Sequence, residues 1–197
     1  MNSLPRFPMR QYKKVERTFD LIIGIHSIGE ALKNRERQHR QLVGTKESLK
    51  ELERYLGGNR LLENMTIHAL DAHQVQDLAK RKFKELNFEF QRIPTNLFLE
   101  TSLTPTYDIS VVYDEIFKRE CKIFCLDQVT DLHNSAAIVR TAAFFGVDFL
   151  VTAQKGSFGI SPKFFRIASG GVEHLKIVKC ASLPKFLKKL TCRLMIF

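Results

Sequence analysis

Residues Ile123–Ala153 read IFCLDQVTDLHNSAAIVRTAAFFGVDFLVTA. The opening run, Ile123-Phe124-Cys125-Leu126, is apolar and has the length of a buried strand. A polar turn follows from Asp127 to Asn134. Ala136, Val139 and Ala143 then recur at helical spacing, and Gly146 is placed to end that helix. Val147–Ala153 is a second apolar run. This strand–loop–helix–strand order predicts a crossover between parallel strands. Ligands of parallel sheets gather at the carboxyl ends of the strands, which is where this order places Asp127, Asp131, His133 and Asn134. Arg140 follows Asn134 by six residues, and its long side chain can reach back towards the helix start.

The wording of the stretch adds to its pattern. LDQVTDLHNSAAIVRTAAFFGVD (126–148) closely resembles the first signature motif of the SpoU (TrmH-like) family of RNA 2′-O-ribose methyltransferases. The matching positions include Asp127, Asp131, Asn134, Ala137, Arg140, Thr141, Ala142 and Gly146. Leu132 stands where the family usually has proline, and Ala136 where it usually has glycine. Any parallel unit with a polar loop would supply the strands and helix, but not Asp-x-x-Asn with arginine six residues on.

Outward from this unit, composition sets bounds. The 197 residues suffice for one ordinary domain or two small ones. A hydrophobic content of 44% with 26% charged residues is globular, and no apolar run is long enough to span a membrane. The net charge of +10 favours a polyanionic partner such as RNA, although basic domains also arise for other reasons. Cys121, Cys125, Cys180 and Cys192 show no CxxC spacing and no histidine partners, so they read as reduced thiols of a cytoplasmic chain with no metal site.

Residues 1–19 carry Arg6, Arg10, Lys13, Lys14 and Arg17 and no hydrophobic core of a secretory signal. They read either as a flexible basic arm touching RNA phosphate or as a plain solvated leader. Leu21–His26 then opens ordered structure. GIHSIGEALKN (24–34) resembles the opening of the substrate-binding domain that precedes the catalytic domain in many SpoU enzymes. The resemblance implies an L30e-like RNA substrate-binding module over 20–103, with His26 a local capping or hydrogen-bonding residue. Within it, Leu42–Gly44 is a short strand, Leu49, Leu52 and Leu56 line a helix stopped at Gly57-Gly58, and Met65–Leu70 is a strand. Asp71 and Gln74 have capping-box spacing. Lys80, Arg81, Lys82 and Lys84 form a charged face, for RNA contact or for solubility. Asn87–Leu99 reads as strand broken at Pro94, and Thr101–Asp108 as the linker, so that 104–119 comprises linker and a lead-in helix at Val111–Lys118.

From 120 to 197 the reading is the N-terminal part of a SPOUT-type (α/β knot) parallel-sheet domain. Ser161-Pro162 starts a helix, Ser169–His174 resembles the family's following turn, Leu175–Val178 is a third strand, and Ser182 caps a last helix. The Lys155–Gly159 loop carries two glycines that serve a turn or an anion contact. The family's second and third motifs, which complete its knot, its S-adenosylmethionine pocket and much of its homodimer interface, find no match before Phe197. Uncovered apolar sheet surface, with poor solubility or compensating self-association, is therefore expected.

The resemblance implies methyl transfer from S-adenosylmethionine to a ribose 2′-hydroxyl of rRNA or tRNA. Arg140 would stabilise the oxygen electrostatically, its pKa being too high for a base, and would contact RNA. Asn134 would position the substrate or Arg140. A structural ion pair of Arg140 with Asp127 or Asp131 is the alternative for that residue. For the whole chain the alternative is an RNA-binding fragment without catalytic competence. No Gly-x-Gly-x-x-Gly or P-loop pattern supports a generic nucleotide-binding domain.

Overall fold

The computed structural model describes the backbone of residues 17–194 and the side chains of 17–191. Two four-stranded sheets organise it. The first has the order β1-β4-β2-β3, built from β1 (Asp20–Ile23), β2 (His39–Gly44), β3 (Ile67–Ala69) and β4 (Leu97–Thr101). β4 runs antiparallel to both β1 and β2, while β2 and β3 are parallel. Alternation along these strands sends side chains to two faces. Ile22, Leu42 and Leu99 pack with α1 (Ile25–Lys33) and α2 (Lys46–Leu56), whereas Leu21, Val43 and Phe98 pack with Val75, Ala79 and Phe83 of α3 (Ala72–Glu85).

Local rules account for the helix ends. Thr45 caps α2 by accepting from Ser48 N, and Asp71 with Gln74 forms the full capping box that starts α3. Between α3 and β4 the expected strand does not form before Leu97. Asn87 and Asn96 have φ of 57° and 43°, conformations that leave the β region. The Gln76 side chain also takes up both Ile93 N and Ile93 O, at 3.1 and 2.7 Å. The backbone polar groups that a strand ladder would use are thus partly committed to a side chain.

The second sheet is entirely parallel, in the order β5-β8-β7-β6. It comprises β5 (Tyr107–Asp108), β6 (Ile123–Leu126), β7 (Phe149–Ala153) and β8 (Lys176–Cys180). Between β6 and β7 lies α5 (Leu132–Phe144), as the decisive stretch predicts. Its end is a Schellman turn: Val147 N donates to Ala142 O and Gly146 N to Ala143 O, with Gly146 at φ 64°. α6 (Pro162–Ala168) and a 3-10 turn at Gly171–Glu173 precede β8, and α7 (Leu183–Leu194) follows it. Leu150 and Ile177 face α5 and α6; Phe149, Val151 and Val178 face α7 and α4 (Ser110–Ile116). Helices thus cover both faces of the parallel sheet. Among the described residues no helix is long and apolar enough to cross a membrane.

The region expected to be a linker is more ordered than its composition suggests. Thr101 closes β4, and Tyr107–Asp108 joins the second sheet by pairing with Val178 and Lys179. The two sheets also share one apolar core, which runs from Ile22, Ile28 and Leu42 to Val139, Leu150, Phe165 and Ile177. Ser27 Oγ donates to Phe165 O across this junction at 2.6 Å. Beside it lies a buried ionic cluster. Arg37 donates to both Glu173 oxygens (3.0 and 2.7 Å), Asp20 Oδ2 (3.1 Å), Ser102 O (2.6 Å) and Thr104 Oγ1 (2.9 Å). Burial alone would lower the Arg37 pKa, but Glu173 and then Asp20 outweigh it and raise the value.

Candidate functional site

The carboxyl ends of β6, β7 and β8 lie together at one edge of the parallel sheet, because the strands share a direction. The loop after β6 turns at Gln128, whose φ is 51°. Asp131 then caps α5, accepting from Asn134 N at 2.7 Å, and Ser135 Oγ donates to Asp131 O at 2.7 Å. Asp131 is thereby spent on the helix start. Asp127, Asp131, His133 and Asn134 are all exposed.

Arg140 sits two turns further along α5 and is exposed. Among the described residues it has no hydrogen bond or ion pair, so the structural pair with Asp127 or Asp131 does not form. Asn134 and Arg140 are not stacked on one ridge. Six residues at about 100° each place them roughly 120° apart around the axis and about 9 Å apart along it. The backbone of Arg140 is fixed from outside: a Cβ on Gly171 would lie 3.0 Å from Arg140 Cα and 3.1 Å from Val139 O. Glycine lets the 3-10 turn approach α5 this closely without a tight contact on its backbone.

β8 contributes a group that the sequence does not single out. Lys179, near the end of β8, donates to Ser157 Oγ at 2.7 Å, and its ammonium lies 5.2 Å from the Phe158 ring centre. Phe158 stacks on Phe164 with planes 8° apart. Lys179 has no carboxylate partner among the described residues, and burial pushes its pKa down. A lysine in a basic chain leaves no local trace of such a position. The Ser157 pairing was available only as one residue of the glycine loop. Further on, Ser161 caps α6 by accepting from Phe164 N, with Pro162 in the first turn.

Of the sequence-derived RNA contacts, Lys13 and Lys14 lie outside the described residues. Arg17 is engaged within the chain: it donates to Asp20 Oδ1 at 2.6 Å and to Ile160 O. Lys82 is likewise paired, with Glu100 at 3.0 Å and Glu85 at 3.3 Å. Burial lowers its pKa less than these carboxylates raise it. Lys80 and Arg81 are exposed and, among the described residues, unpaired. Cys121, Cys125 and Cys180 are free thiols. Among the described residues no three His, Cys, Asp or Glu side chains converge as a metal site.

Comparison with known proteins reaches the same region. The model of the SpoU rRNA Methylase family matches residues 122–197. The 23S rRNA (guanosine-2′-O-)-methyltransferase RlmB of Acinetobacter baylyi is 35% identical over 65 residues, 33% of this chain and 26% of that protein. An uncharacterized tRNA/rRNA methyltransferase of Synechocystis is 34% identical over 68 residues, 34% of this chain and 18% of its own length. The chain therefore spans about a quarter or less of these relatives. In three dimensions it is similar to the SpoU methyltransferase AviRb of Streptomyces viridochromogenes, solved with AdoMet. The TM-score is 0.61 at 20% identity, over 90% of this chain and 61% of that one. That likeness shows the fold. The family match takes in the strand-end loop and α5, so that it is residues 122–197 that are similar to the SpoU rRNA Methylase family.

Proposed function

We propose that the chain is part of an RNA 2′-O-ribose methyltransferase that uses S-adenosylmethionine, with rRNA or tRNA as substrate. The observation carrying this reading is the loop Asp127–Asn134 with the unpaired Arg140, at the carboxyl ends of a parallel sheet and inside the family match. Arg140 is the residue to stabilise charge on a ribose oxygen, since a guanidinium is permanently protonated and donates from several positions. Asn134, in the first turn of α5, is the residue to orient the ribose or its neighbouring phosphate.

The methyl donor needs walls, and the described residues do not supply them. Asp127, Gln128, Thr130, Gln154, Lys155 and Gly156 around the strand ends are all exposed. This exposure favours a second reading, RNA binding without methyl transfer, for these residues alone. The first region supports an L30e-like substrate module over 20–103: a mixed sheet with α1 and α2 on one face and α3 on the other. The basic balance fits RNA as partner, the free thiols fit a cytoplasmic location, and the exposed Phe144 and Phe145 fit the homodimer expected of the family.

Calorimetry with S-adenosylmethionine, beside transfer of labelled methyl groups to RNA, tests this reading. Micromolar binding with transfer that Arg140→Ala abolishes supports the enzyme. Absence of binding at millimolar donor leaves the RNA-binding reading.

A further inference from the structure

Two cavities lie end to end where the first region meets the strand-end loops of the second. One, about 510 Å³, is lined by Lys80, Arg81, Lys84, Asn87, Phe88, Glu89 and Phe90. The other, about 330 Å³, continues past Phe88 and Glu89 to Thr130, Leu132 and Gly159–Lys163. Thr130 and Leu132 flank the cap of α5, so the second cavity ends two residues from Asn134.

The lining has two chemical components. Lys84 follows Arg81 by three residues and Lys80 by four, so it neighbours both on α3, and among the described residues none of the three has a carboxylate partner. Lys82, one residue away, is paired with Glu85 and Glu100. The helix thus neutralises one cation and leaves three facing the cavity, where like charges repel unless an anion lies between them. The second component is aromatic. Phe88 and Phe90 are half-buried. Phe90 presents its edge to or receives the edge of Phe83 at 5.6 Å and 84°, and the Arg17 guanidinium lies 5.8 Å from the Phe88 ring centre.

This platform is fastened in place. Phe88 N donates to Phe83 O at 2.8 Å, and Gln76 holds the far side of the loop through Ile93 and Asn96. A preset surface of this kind loses little freedom on binding. Unpaired cations beside half-exposed rings suit a polyanion whose bases are free to stack, which is single-stranded RNA and not a duplex with its bases paired inside.

We propose that single-stranded RNA is held along this track, its phosphates on Lys80, Arg81, Lys84 and Lys163 and a base against Phe88 or Phe90, so that it arrives at Asn134. The proposal rests on the RNA reading of the site and adds the path. Glu89, exposed and unpaired among the described residues, opposes the polyanion and weakens the grip.

The test is fluorescence anisotropy of the whole chain with labelled oligouridylate. Controls are an RNA duplex and an abasic oligomer of equal length. Substitution of Lys80, Arg81 and Lys84 by alanine is expected to weaken binding at least ten-fold and to reduce the salt slope by about 2, at roughly 0.7 per contact. Phe88→Leu and Phe90→Leu, which keep apolar bulk and so the fold, are expected to lose about five-fold or more for oligouridylate and nothing for the abasic oligomer. Glu89→Gln is expected to bind more tightly. Equal binding by the wild type and the lysine–arginine variant, or preference for duplex, overturns the track while leaving RNA binding intact. No RNA binding by the wild type overturns the RNA reading as well.

Discussion

Arg37 is the residue whose loss the structure predicts most sharply. Its five hydrogen bonds join β1, the segment after β4 and the 3-10 turn before β8. Arg37→Met removes them while keeping most of the aliphatic packing. The two carboxylates then fare differently. Asp20 keeps Arg17 at 2.6 Å and both the Thr104 N and the Thr104 Oγ1, each at 2.6 Å. Glu173, whose side chain is 4% exposed, keeps among the described residues only Asn34 Nδ2 at 2.8 Å. Breaking a buried pair from one side costs about 3–5 kcal/mol, because a charge stays buried without its partner. Most of that cost should fall on Glu173. Arg37→Met/Glu173→Gln is therefore expected to recover about 2 kcal/mol relative to the sum of the single changes. Urea unfolding followed by far-ultraviolet circular dichroism measures this, the chain having no tryptophan. A cost below about 1 kcal/mol for Arg37→Met, or strict additivity in the double variant, would refute the reasoning.

Four further outcomes are open to measurement. Gly171→Ala is expected to cost about 1–3 kcal/mol in urea unfolding, since its Cβ meets the backbone of Val139 and Arg140 rather than a yielding side chain. Asp131→Ala should cost about 1 kcal/mol through loss of the α5 cap, and Asp131→Asn much less. For Lys179 the folded pKa is depressed, so the unfolded chain binds more protons as pH approaches the ordinary lysine value of 10.5. Stability attributable to this group rises through that alkaline window, and Lys179→Met should flatten the rise when its urea midpoints are compared with wild type from neutral to alkaline pH. Phe144 and Phe145 are 84% and 63% exposed; replacing both with serine should lower the sedimentation coefficient at high concentration if this patch drives self-association.

The decisive stretch was legible because its signals are local. Period and stop both fall within Ile123–Ala153, and the Gly146 turn forms as the residue type dictates, while the Asp131 cap is added by the structure. The capping box at Asp71 is legible for the same reason. What escaped the sequence depends on distant partners. Ile93 looks like strand until Gln76 takes its backbone groups. Tyr107–Asp108 is too short to announce itself and becomes strand only beside β8. Arg37 sits in a charged run, NRERQ, where nothing marks one arginine for burial against a glutamate 136 residues away. At the candidate site the sequence located Asn134 and Arg140 on one helix and Lys80, Arg81 and Lys84 on a charged face, but it gave no hint of Lys179 or of the Phe88 and Phe90 rings beside that face.

The Arg37–Glu173 pair also imposes an order on synthesis. Arg37 leaves the ribosome 136 residues before its main partner, an interval of roughly 7 to 27 s at about 5–20 residues per second. During that time β1, β2 and β4 can assemble, with Asp20 already available to the guanidinium. The carboxylate that completes the cluster arrives only with the 3-10 turn, after three strands of the second sheet have been made. The early region therefore waits in an unfinished state, its cation half-compensated and its α1 face uncovered. A fragment excised at the apparent boundary near residue 104 would lack Glu173 and the apolar cover of α5 and α6, so it is expected to be less stable than the same residues within the whole chain.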